Sequence, residues 1–113
     1  MSVENVDYGG SRNLIAGWVS TEQRPLAADT YHVGMLLEYN STTDVYEALA
    51  SGTLAGIYNG TDGRVLAAPG EDNVIVAGEI SEEGLVDASG DALTVTEDQR
   101  AAFRDAGFYL KRN

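Results

Sequence analysis

The sequence predicts a mainly β domain closed by one short C-terminal helix, and three observations carry that prediction. Apolar runs of strand length recur at near-regular spacing. Turn-forming pairs such as Asn59-Gly60 and Asp62-Gly63 punctuate them, and a single capped helix pattern, TEDQRAAFRDAG, stands near the end. Short strands with abundant glycine, 13 among 113 residues, suit a compact β-barrel or sandwich-like module with an extended N-terminal arm. The length suits a single domain.

Taken in order, residues 1–12 are polar, contain Gly9-Gly10 and read as a flexible arm. NLIAGWV is an apolar strip of strand size, and STEQRPLAADT reads as a polar loop around Pro25. YHVGMLLEY and VYEAL flank NSTTD, a cluster of turn formers, which predicts a hairpin. TLAGIY is a short strand ended by NGTDG; RVLAA is expected to pair locally, and APGEDN to turn. NVIVAGEI is the strongest strand, with Val74, Val76 and Ile80 on one face and Ile75 and Ala77 on the other.

The helix has readable ends. Thr96 and Gln99 form a T-x-x-Q capping box in which each side chain satisfies an N–H left over by the helix start. Glu97 and Asp98 place carboxylates where the helix dipole favours them, and Gly107 supplies the left-handed residue that ends the helix. About eleven residues are too few to persist alone in water, so the helix must dock. Gln99, Ala102, Phe103 and Ala106 share one face, with Phe103 as anchor. In the closing strand Phe108 and Leu110 point one way, Tyr109 and Lys111 the other. Phe103, Ala106, Phe108 and Leu110 are thus the expected packing set.

Eighteen acidic residues against seven basic ones give a formal net charge of -11. Nucleic acid and anionic membranes need a basic footprint that this chain lacks, so neither is an expected partner. Acid spread along the chain, with Lys111 the sole lysine, matches a protein adapted to concentrated salt, where screening suppresses carboxylate repulsion. An arginine-rich, high-GC genome accounts for it equally well. Without cysteine there is no disulfide, thiolate metal site or cysteine nucleophile. No signal-peptide pattern or membrane-length apolar run is present, so a soluble chain made and used without secretory processing is expected.

Catalytic patterns are sparse. A phosphate-binding loop needs a lysine after its glycines, and the sole lysine stands in the terminal strand. His32 is the only histidine, and a surface or structural role is expected of it. Glu79, Glu82 and Glu83 are close in sequence, but a glycosidase needs two carboxylates facing one cleft, and scattered exposed acid is the simpler reading. DASGD and NGTDG resemble pieces of calcium loops without completing one. Asn40-Ser41-Thr42 and Asn59-Gly60-Thr61 match a glycosylation acceptor, a pattern that chance supplies readily. No enzyme activity, cofactor or metal is expected. Trp18, the only tryptophan, either fills its own core or belongs to a strand added to a partner's sheet edge.

The succession NLIAG, HVGMLLEYNSTTDVYEAL, AGIY, VIVAGEI and a short helix running into AGFYLK resembles the small head-decoration, or capsid cement, proteins of tailed viruses. The similarity covers roughly Tyr8 to Arg112, and its weight comes from order rather than from any one motif. The resemblance implies a β-tulip-like module that forms a homotrimer on the outer surface of an icosahedral head, at three-fold and quasi-three-fold positions. There it clamps the major capsid protein of an expanded HK97-type shell against DNA pressure. It implies assembly in the host cytoplasm and residence on the virion. It also implies an arm over residues 1–19 whose apolar contacts are Leu14, Ile15, Trp18 and Val19, followed by one decoration domain over residues 20–113. The rival expectation is a small β module that binds carbohydrate or a host surface through Tyr or Trp platforms.

Overall fold

The computed structural model describes residues 14–50 and 52–111. Within them the chain forms β1 (Ile15–Leu26), β2 (Asp29–Tyr31), β3 (Leu36–Asn40), β4 (Val45–Ala48), β5 (Leu54–Tyr58), β6 (Arg64–Leu66) and β7 (Gly70–Ser81). A 3₁₀ turn (Glu82–Gly84), α1 (Glu97–Asp105) and β8 (Phe108–Lys111) follow. This is a mainly β domain with one short C-terminal helix. The flexible arm expected over residues 1–12 lies outside the described residues.

Six strands form a sheet in the order β1-β4-β3-β5-β7-β8, and β1 pairs additionally with β7; β2 and β6 form a separate two-stranded sheet. The antiparallel β1–β7 ribbon dominates, running from Ile15↔Ile80 to Leu26↔Gly70. The expected barrel, tulip-like or otherwise, is corrected here, because the sheet is not closed. A barrel needs a staggered ladder along every neighbouring pair. β1 instead reaches β4 through a single register pair, Leu26↔Tyr46, helped by the Ala27 N–H donating to the Tyr46 carbonyl at 2.9 Å. Among the described residues, most of β1 therefore has no partner on the side away from β7.

Where the sequence suggested a loop around Pro25, the structure has the second half of β1. Proline is tolerated because of strand parity. The Ala27 N–H points to the β4 side, so two residues back the Pro25 nitrogen faces that same side, where no ladder bond is lost. The APGEDN turn is shorter than expected, since Gly70–Asn73 already belong to β7. RVLAA does not pair locally: Arg64–Leu66 pairs with Asp29–Tyr31.

The remaining elements follow their sequence signals. β3 and β4 form the hairpin, and Asn40 Oδ1 accepts the N–H groups of Thr42 and Thr43 in its turn. β7 is the central strand, with Val74, Ile75 and Ile80 fully buried. At α1 both halves of the capping box are made. The Thr96 N–H donates to Gln99 Oε1 at 2.8 Å, and the Gln99 N–H to Thr96 Oγ1 at 3.3 Å. The helix spans 9 residues rather than eleven and ends before Gly107 at φ 95°. Arg100 fixes it to the 3₁₀ turn by two bonds to the Glu82 carboxylate, at 2.8 and 3.0 Å. Phe103 and Phe108 are buried edge to face, 6.3 Å between centroids, and Ala106 and Leu110 pack against the same core. The four residues expected to hold the helix do come together.

Candidate interaction surface

The most unusual surface lies where β1 begins. Ile15 pairs with Ile80 and Val19 with Gly78, so Ala16, Gly17 and Trp18 stand opposite Glu79 alone. Surplus residues on one strand make a bulge, which bends the strand and re-aims its side chains. Two glycines permit it. At Gly78, φ 137°, a Cβ would lie 2.5 Å from the Trp18 carbonyl oxygen, and a Cβ on Gly17 would overlap the Glu79 carboxylate. Glu79 and Tyr109 are register partners in the parallel β7–β8 ladder and therefore share a face. That face carries Glu79, which lies over Gly17, and Tyr109; Trp18 follows Gly17 in the bulge.

Trp18 is 56% exposed, Tyr109 48% and Ile15 37%, whereas tryptophan and tyrosine usually bury their rings or at least part of them. The four sequence-chosen residues divide. Ile15 and Trp18 are displayed to solvent. Leu14 is buried in the chain's own core, its carbonyl accepting the Ser81 N–H at 2.7 Å, and Val19 packs partly buried against that core. Residues 15–19 are thus the start of a paired strand. Sequence reasoning gave Tyr109 its outward direction but could not place it beside Glu79, because strand neighbours across a helical crossover leave no local signal.

The other candidates for chemistry serve the fold. His32 Nδ1 lies 3.8 Å from Asp62 Oδ1, which also accepts the Val33 N–H at 2.9 Å. The DASGD segment closes on itself through Asp87 Oδ1, which accepts the Ser89 and Asp91 N–H groups. Glu82 is bound to Arg100, and Glu83 accepts from Ser81 Oγ at 3.4 Å. Glu82 and Glu83 line one open cleft of about 630 Å³ with Glu97 and Arg100, whereas Glu79 is not among its lining residues. Among the described residues no group of three His, Asp or Glu side chains is placed to hold a metal ion, and no helix is long and apolar enough to cross a membrane.

One polar cluster went unseen in the sequence. Asp72 Oδ2 accepts Tyr58 Oη at 2.8 Å and Arg64 Nη1 at 2.6 Å, while Oδ1 accepts the Asn73 N–H at 2.7 Å. Burial pushes the Asp72 carboxyl up, but the bonds from Asn73, Arg64 and Tyr58 outweigh it and hold the group below its usual range. Burial, then the bond to Asp72, drives the Tyr58 hydroxyl well above its ordinary value. Tyr31, stacked 5.3 Å from Tyr58, is pushed up to about 12 by burial and then by the charges of Asp29 and Glu47. This cluster ties β5, β6 and β7 together.

A cleft of about 370 Å³ also lies between α1 and the β3–β5 region, lined by Leu36, Leu49, Leu54, Ala102 and Phe103. No protein-family model matches the chain, and no curated protein matches it.

Proposed function

We propose that this chain is a structural decoration protein of a tailed-virus head. Three copies sit together on the outer surface at three-fold and quasi-three-fold positions and brace the expanded shell against the pressure of packaged DNA. The observation that supports this reading is the start of β1: a bulged strand, unpaired along one edge among the described residues, that displays Trp18 and Ile15 to solvent. Open edges recruit partner backbone, and exposed aromatic anchors supply a large share of binding energy in protein interfaces. The mechanism is mechanical. A trimer engages several capsid subunits at once, so attachment gains from multivalency beyond what one protomer contributes.

Co-sedimentation of the purified chain with expanded heads tests this. Wild type should pellet with heads saturably, and a Trp18→Ala, Ile15→Ser double variant that keeps its fold should bind at least about tenfold more weakly. Wild-type protein that stays in the supernatant would remove the proposal, and a signal on a glycan array instead would favour the carbohydrate-binding alternative.

A further inference from the structure

Glu79 sits half-buried on the bulged face, and among the described residues its carboxylate makes no hydrogen bond or ion pair. Of the cations on the described residues, Arg24 pairs with Glu22, Arg64 with Asp72, and Arg100 with Glu82 and Glu97, while Arg104 and Lys111 form no ion pair with Glu79. Glu79 is flanked by Tyr109, one strand away at a spacing of about 4.8 Å, and by the Gly17-Trp18 bulge. Any side chain at position 17 would occupy the place where the carboxylate rests.

A carboxylate whose strand neighbour is the exposed Tyr109 and whose facing bulge carries the exposed Trp18 is chemically suited to a cation. The charge attracts it, the ring faces add cation–π attraction, and tyrosine, tryptophan and arginine are the residues enriched where interfaces concentrate their energy. Complementarity of charge points the same way, since a chain of net charge -11 is repelled by an acidic partner surface and steered to a basic one. We propose that this face receives an arginine or lysine side chain of the partner protein, its cation meeting the Glu79 carboxylate between Tyr109 and the Trp18 bulge. The inference rests on the reading of this surface as the one that docks on the head, and names the chemistry of the partner there.

Trp18 is the only tryptophan, so its emission reports on the site directly. The full-length chain is titrated with the peptide Gly-Arg-Gly-Arg-Gly and with Gly-Gln-Gly-Gln-Gly, and in parallel co-sedimented with expanded heads. Wild type, Glu79→Gln, Glu79→Arg and Tyr109→Ser are compared, with circular dichroism confirming each fold. The arginine peptide should shift Trp18 emission saturably and the glutamine peptide should not. Glu79→Gln should weaken both the peptide response and head binding at least about tenfold, and Glu79→Arg should weaken them further. Added salt should weaken wild type more than Glu79→Gln.

Equal responses to the two peptides, or Glu79→Arg binding heads as tightly as wild type, would overturn the inference while leaving the decoration reading intact. A wild type that answers the arginine peptide yet never binds heads supports the cation site and refutes the virus-head reading. Failure on both measurements overturns both.

Discussion

Replacing Gly78 by alanine tests the close approach of β1 and β7 that creates the bulged face. Residue 78 has φ 137°, a conformation that L side chains rarely adopt, and its added Cβ would lie 2.5 Å from the Trp18 carbonyl oxygen and 2.6 Å from the Val19 Cα. A carbon–oxygen contact is comfortable at about 3.3 Å or more, so β1 must retreat by about 0.8 Å. Backbone strain of this kind costs about 1–3 kcal/mol, and forcing an extra carbon into a packed contact about 1–3 kcal/mol more.

Gly63 is the internal control. It also has positive φ, 75°, but a Cβ there would meet nothing within 4 Å, so Gly63→Ala should cost only the dihedral term of about 1–2 kcal/mol. Urea unfolding followed by far-ultraviolet circular dichroism compares the two. Gly78→Ala should be the less stable by about 1–3 kcal/mol, a lowering of Tm by about 4 °C for each kcal/mol. Equal stabilities within about 0.5 kcal/mol would refute the argument that backbone proximity, rather than dihedral angle, demands glycine at 78.

Other outcomes follow from the same geometry. Phe103→Ala, removing a ring 2% exposed, should cost about 3–5 kcal/mol in urea unfolding and release α1 first in hydrogen exchange. Thr96→Ala removes half of the capping box and should cost about 1 kcal/mol, read as a lower urea midpoint at unchanged m-value. Asp72→Asn should lower stability at pH 7 by about 1–3 kcal/mol. Because Asp72 is held below its usual range, its ionised form favours the folded state. That contribution is complete above the ordinary carboxylate pKa near 4 and disappears as pH falls through the lowered folded value. Wild type should therefore lose its advantage over Asp72→Asn as pH falls below about 4 in acid titrations of stability.

What the sequence revealed was local. Thr96, Gln99 and Gly107 act on backbone within a turn of themselves, and the Asn40–Asp44 turn fixes its own hairpin, so these elements could be read directly. Tyr109 and Phe108 obeyed strand alternation for the same reason. Pro25 and the polar run around it look like a loop, and only an edge without ladder partners among the described residues lets β1 continue through both. The pairing of Arg64–Leu66 with Asp29–Tyr31, the Asp72 cluster and the Glu79–Tyr109 neighbourhood depend on partners distant in sequence, which no window of residues contains. Closure of the barrel was over-read from strand spacing. Regular spacing says how many strands there are, whereas closure depends on register, and here register leaves one pair, Leu26↔Tyr46, at the seam.

The central claim is that this chain works by bracing a shell from outside in groups of three. Electron microscopy of expanded heads incubated with an excess of the purified chain measures it directly. The account predicts outward density for three copies at each three-fold and quasi-three-fold position, with β1 and the Glu79 face turned to the shell. Heads that remain bare, or density lying elsewhere on the capsid lattice, would contradict it.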